Sequence, residues 1–232
     1  MMGKLITQGT IEFLVENRMR DDKQWFDEHK DVYAERVVEP FVALAQQLEP
    51  EIKKIDPFLK MPVKVGGCIS RIRRDTRFTK DKTLYRDVMW ISILRQKGMM
   101  LPEFYFVLTP DEYFWGCGYY AMERGSMDCM REMILAGNEN FQRAQAVLED
   151  GHGFVLDGEK YKRPHHKDAP EALQPWLDSK ALCLTKHSRD WAQLYSADLW
   201  KLLAEDFLQL APMYRFLMEG EMRARGDALA GI

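Results

Sequence analysis

Apolar and aromatic residues recur at two different periods along the chain, and the change of period divides it into thirds. In the first sixty residues the spacing is helical. Ile11, Leu14 and Val15 share one face of "IEFLVENRM", which Thr10 is placed to cap. Trp25, His29, Val37, Phe41, Leu44 and Leu48 continue that spacing through "DKQWFDEHKDVYAERVVEPFVALAQQLEPEI". Pro40 lies inside this run. It lacks an N–H and clashes with the preceding turn, so it predicts a kink or a division into two helices.

The middle third alternates instead. "KVGGCISRIR", "DVMWISILRQ", "EFYFVLT" and "EYFWGCGYYAM" read as strands, with "TPDE" at 109–112 as the turn between the last two. The second and third are apolar on both faces, which places them in the interior of the sheet. Tyr113, Trp115 and Tyr119 face the core. Gly116 and Gly118 leave the other face bare between Phe114 and Tyr120, which suits the close approach of a ligand or a packed helix. Helical spacing returns in "SMDCMREMILAG", with Ser126 as cap, and in "ENFQRAQAVLED". "FVLDGEKYKR" reads as a hairpin around Asp157–Gly158. The tail "SADLWKLLAEDFLQLAPMYRFLMEG" is helical, capped at Ser196. Helices, then a run of strands, then helices again predict an α+β fold: a mainly antiparallel sheet covered by N- and C-terminal helices, in one domain spanning 1–232.

Composition narrows the function. With 232 residues, 46% of them hydrophobic, the chain can bury a sizeable core. A net charge of −3 disfavours a general nucleic-acid coat. No run approaches the length of a membrane span, and "MMGKLITQGTIEF" has no apolar core of signal-peptide length, so a cytoplasmic location is expected. Cys68, Cys117, Cys129 and Cys183 are scattered and read as reduced thiols. Of the histidines only His165 and His166 are neighbours, and adjacent residues on an extended chain point apart. No zinc-type spacing exists, and neither a metal nor a cofactor is expected. The familiar nucleotide-loop, nucleophile-elbow and metalloprotease signatures are absent, so no catalytic residue is assigned.

One stretch departs from this even picture. "SRIRRDTRFTKDKTLYRD" at 70–87 holds seven Arg or Lys and three Asp, so it carries +4 while the rest of the chain sums to −7. As a strand, "CISRIRRD" puts Arg71 and Arg73 on one face about 7 Å apart, with Arg74 on the other. After Asp75 the pattern breaks into a polar loop carrying Arg77, Lys80 and Lys82, with Phe78 placed to anchor it to the core. Guanidinium groups bind carboxylate or phosphate in bidentate fashion, and loops held by a rigid sheet are where ligand contacts concentrate. Asp75, Asp81 and Asp87 offer the opposing account, a solvated face neutralised locally by pairs worth about 0–1 kcal/mol each.

"RIRRDTRFTKDKTLYR" resembles the signature of a bacterial and fungal family, domain of unknown function 2461, whose pattern runs approximately R-I-x-R-D-x-R-F-S-K-D-K-x-P-Y-K. Arg71, Ile72, Arg74, Asp75, Arg77, Phe78, Lys80, Asp81, Lys82 and Tyr85 match it. Leu84 stands where the family usually has proline, and Arg86 where it has lysine, which implies a less rigid loop of preserved charge. "FLVENRMRDDKQWFDEHKDVY", "FWGCGYYAMERGSMDCMREMI" and "GEKYKRPHHKDAPEALQPWLDSK" are similar to flanking elements of the same family. They place Arg131 at its helix arginine, and Lys162, Arg163, Pro164 and Lys180 in its late basic element. The resemblance implies one domain covering roughly 5–220 and supplies no activity. It favours a specific role for the charges over incidental surface charge.

The reading that follows is a site for an anionic, phosphate-bearing small molecule, with Arg71, Arg74, Arg77, Lys80 and Lys82 supplying charge and Tyr85 a hydrogen bond. Asp75 or Asp81 orients an arginine or, less commonly, acts as a base, and Arg131 joins from the distant helix. Two alternatives stay open: a module gripping a nucleic-acid backbone or an acidic protein, with nucleic acid the less favoured partner, and an internal salt-bridge network that serves the fold.

Overall fold

The computed structural model describes residues 5–96, 98–119, 121–164 and 166–226. The chain opens with α1 (Gln8–Arg20). The helix starts one turn before the expected cap, behind Thr7. Thr10 lies inside the first turn, fully buried, where its hydroxyl accepts the Thr7 N–H at 3.1 Å and donates to the Arg36 carbonyl at 2.6 Å. Then come α2 (Lys23–Glu28), α3 (Lys30–Tyr33), a π-helical turn (Ala34–Val38) and α4 (Glu39–Ile55). Pro40 does not divide the helical run, which continues from the π-helical turn through Val38 into α4 and is interrupted instead at His29. It falls in the first turn of α4, directly after the π-helical turn, whose wider winding accommodates a residue without an N–H.

Three strands follow, β1 (Met89–Ile93), β2 (Glu103–Leu108) and β3 (Tyr113–Gly118). The 109–112 turn joins the last two, its backbone closed by Thr109 N–H to Glu112 O at 2.9 Å. Beyond α5 (Arg124–Leu135) and α6 (Glu139–Glu149) lie β4 (Val155–Asp157), α7 (Gln174–Leu177), β5 (Cys183–Ser188), α8 (Trp191–Leu194), α9 (Leu199–Gln209) and α10 (Ala211–Arg225). The strands form one antiparallel sheet in the order β1-β2-β3-β5-β4. The fold is α+β.

One face of the sheet is the core. Phe106 meets Phe41 of α4, Phe104 meets Phe207 of α9 and Tyr214 of α10, and the Trp115 indole donates to Asp206 at 2.8 Å. Tyr113, Trp115 and Tyr119 are buried, as their alternation requires. The other face, including Ser92, Tyr105, Val107 and Phe114, is half-buried.

Five expectations are corrected, among them the interior place of β1, which is an edge strand of the ordered sheet. "KVGGCISRIR" forms no regular strand: Gly66, at φ 79°, turns the chain so that its N–H meets Ile69 O at 2.8 Å. Residues 68–70 then run along the outer edge of β1, through Ser70 N–H to Trp90 O and Ser92 N–H to Cys68 O, so an edge strand of the ordered sheet is apolar on both faces. β4 pairs with the distant β5 rather than with the residues after Asp157–Gly158, where Pro164 would remove a donor from any return strand. Glu123, not Ser126, precedes α5, and Ser126 is buried within its first turn. Asp198, not Ser196, precedes α9, while the Ser196 hydroxyl accepts the Asp198 N–H at 3.1 Å. Among the described residues no helix is long and apolar enough to cross a membrane.

Candidate functional site

The basic stretch folds back on itself. Arg86 N–H donates to Ile72 O at 2.9 Å, Arg74 N–H to Leu84 O at 2.8 Å, and Arg73 sits opposite Tyr85, so residues 72–74 and 84–86 form the arms of a short hairpin that leads directly into β1. Its base is fixed from inside. Ile72 and Tyr85 are buried, and the Tyr85 ring packs on Phe26 of α2 at 4.8 Å. Asp21, in the left-handed conformation that ends α1, accepts the N–H groups of Leu84 at 2.7 Å and Tyr85 at 3.1 Å on one carboxylate oxygen. Arg86 ties the arms together through Arg71 O at 2.8 Å and Arg73 O at 3.3 Å, and its guanidinium lies over Trp90.

The tip is closed by its own acids. Arg77 grips Asp75 in bidentate fashion at 2.9 and 2.7 Å, and Arg74 pairs with Asp81. Asp81 also accepts the Thr83 N–H and hydroxyl, and Lys82 reaches the Thr76 carbonyl at 2.8 Å. The Arg77 side chain, then its backbone N–H, pulls the Asp75 carboxyl down to about 2. The Thr83 hydroxyl, then Arg74, holds Asp81 well below the usual carboxylate range. Carboxylates this acidic are weak bases, so neither suits proton abstraction near neutral pH.

The bases therefore divide. Arg74, Arg77, Lys82 and Arg86 are committed to the hairpin. Among the described residues, the side chains of Arg71, Arg73 and Lys80 make no hydrogen bond or ion pair, and all three residues are exposed. Tyr85 is only 1% exposed and serves as the wedge under the arms. Phe78 does not anchor the loop: it is 91% exposed, with the Arg77 guanidinium 5.5 Å from its ring centroid. The base is already held by Asp21 and Tyr85, so the tip needs no apolar anchor.

Arg131 lies apart from these groups. It is buried on α5, where it donates to Leu177 O and Ser179 O at 3.0 Å each and to Asp128 at 2.9 Å, tying α5 to the segment that enters β5. Lys180 pairs with Glu159 at 2.6 Å, and Lys162 and Arg163 are exposed. His29 is half-buried at the end of α2, stacked on Trp25 at 4.1 Å, and His165 lies outside the described residues. No group of His, Cys, Asp or Glu among the described residues is arranged to hold a metal ion.

The face bared by Gly116 and Gly118 is filled from within, and Tyr120 lies outside the described residues. A Cβ on Gly116 would stand 2.1 Å from Leu184 O and 2.5 Å from the Tyr105 hydroxyl. That hydroxyl crosses the glycine to reach Cys183 Sγ at 2.6 Å and Thr185 Oγ1 at 2.7 Å. Burial pushes the Cys183 thiol up to about 11, so it stays neutral and is no ready nucleophile. The alternate polar positions 103, 105, 183 and 185 were the only sequence signal for this cluster. Nothing in the sequence says that β5 returns to lie beside β3.

The family model for the conserved hypothetical protein DUF2461 matches residues 9–216. The chain belongs to this family. No curated protein matches it. The DUF2461 match runs along the chain from α1 through the hairpin and the sheet into α10. Within it, Leu84 uses its backbone N–H to bind Asp21, a bond that a proline at that position could not make.

Proposed function

We propose that the protein binds a phosphate-bearing anion on the exposed arm of the hairpin, with Arg71 and Arg73 as the gripping groups. One observation carries this reading: the two guanidiniums flank buried Ile72 on an exposed face and make no hydrogen bond or ion pair among the described residues, while the arginines around them are satisfied. Side chains two residues apart on an extended arm stand about 7 Å apart, a spacing that lets both reach oxygens of one phosphorylated ligand. The arm is held by Asp21, Tyr85 and Arg86, so little backbone ordering is needed on binding. No reaction is assigned, because the acids of the motif are committed to arginines. A thermal-shift screen of nucleotides and phosphorylated metabolites tests the reading. Stabilisation is expected for the wild type, lost in Arg71→Ala/Arg73→Ala and weakened by added salt. Stabilisation that survives the double substitution contradicts it.

A second reading rests on the Arg74–Asp81 and Arg77–Asp75 pairs and on Arg86, which serve the hairpin's own shape. On this reading the motif is a fold element, and Arg71→Ala/Arg73→Ala lowers the melting temperature of the ligand-free protein as much as Arg74→Ala does.

A further inference from the structure

Two surface features that the fold leaves uncovered are complementary to each other. The first is the hairpin tip. Phe78 stands in solvent between Arg77 and Lys80, and Arg74, Asp75, Arg77, Lys80, Asp81 and Lys82 together carry +2. The tip is locked by its internal bonds, so the aromatic ring is presented on a defined scaffold. The second is an open groove of about 880 Å³ between α1 and α8. Its walls are apolar, formed by Ile11, Val15, Met19, Pro110, Trp191 and Tyr195, and Met19 is 80% exposed. Glu12, Glu16 and Arg20 stand on its rim; Arg20 pairs with Glu16 at 3.2 Å and Glu12 accepts from Gln8 at 2.8 Å, so the rim is net negative through Glu12.

We propose that these are the two halves of one contact: Phe78 of one copy of the chain enters the groove of a second copy, and Lys80 meets Glu12 at the rim. Asp21 ends α1 and also binds the hairpin base, so tip and groove belong to one unit. A two-fold axis then lets each copy give its tip and receive the other's, which closes the assembly as a dimer. The contact covers the exposed Phe78 ring and the exposed Met19 together, pairing an aromatic anchor with an adaptable thioether wall. The acidic rim selects this occupant. An anionic bilayer or a nucleic acid would take the basic tip but be repelled by Glu12, leaving the groove open. This contact uses the tip and leaves Arg71 and Arg73 on the arm.

Sedimentation equilibrium from low to high micromolar protein tests the proposal, with circular dichroism confirming the fold of each variant. The wild type is expected to reach the dimer mass. Phe78→Ala and Val15→Glu are each expected to raise the dimer Kd by about tenfold or more. Lys80→Glu and Glu12→Lys should each weaken the dimer, and the two together should restore it, because the pair is then reversed on both sides of the axis. A monomer throughout the range overturns the proposal, as does a dimer indifferent to Phe78→Ala. Phe78-dependent binding of anionic vesicles or oligonucleotides by a chain that stays monomeric also overturns it.

Discussion

At the scale of single residues, Asp56, at the end of α4, is a buried charge that ties three segments together. It accepts from Tyr214 at 2.6 Å, from Arg95 at 2.5 Å and from the Phe58 N–H at 2.9 Å, and so joins α4, the end of β1 and α10. Burial alone would raise its pKa, but the hydrogen bonds from Tyr214, Phe58 and Arg95 outweigh burial and hold it below the ordinary value. A depressed carboxylate stabilises the fold at pH above its unfolded value of about 3.9 and loses that contribution as pH falls through the folded value. Asp56→Asn is expected to cost about 3 kcal/mol at neutral pH, by leaving Arg95 without its buried carboxylate, and to flatten the acid limb of stability. Urea denaturation between pH 3 and about 7 checks both effects. None of this was legible in the sequence, where Asp56 is one acid among many and its partners lie far along the chain. The charges of residues 70–87 were legible as a group, because seven bases in a chain of net −3 stand out locally. Which of them are satisfied was not, because that depends on the turn that brings Asp81 back to Arg74 and Asp75 onto Arg77.

Among the elements, the hairpin depends on a residue outside it. Asp21 receives two backbone N–H groups of the return arm while ending α1, so it couples the helix terminus to the base of the motif. Asp21→Ala leaves both donors without that partner. It is expected to cost about 1–3 kcal/mol and to speed hydrogen exchange at Leu84 and Tyr85 more than in the core strands. Equal acceleration across β2 and β3 would show that the hairpin does not open as a local unit. Periodicity identified the long helices and β2 and β3, because each buries one face or two in a regular repeat. It misassigned residues 64–73, where Gly66 and Gly67 fold the chain back before any alternation can become a ladder. It also paired β4 locally, because a short strand carries no mark of a partner some thirty residues away.

On the scale of the whole molecule, the helices cover one face of an antiparallel sheet, and the basic hairpin projects from the β1 edge, held by α1 and α2. The order of elements along the chain announced this α+β arrangement. The strand order did not follow from the sequence, because β5 inserts between β3 and β4. The net negative charge and the local positive hairpin are compatible once the hairpin is seen as a projection with two surfaces, an arm bearing Arg71 and Arg73 and a tip bearing Phe78 and Lys80. On the proposed function, the arm binds phosphate while the internally paired arginines only hold its shape. Titrating pyrophosphate into isotopically labelled protein and following the arginine Nε–H resonances tests it most directly. The signals of Arg71 and Arg73 are expected to shift progressively while those of Arg74 and Arg77 stay with Asp81 and Asp75. Shifts confined to Arg74 and Arg77, or no shift at Arg71 and Arg73, would contradict it.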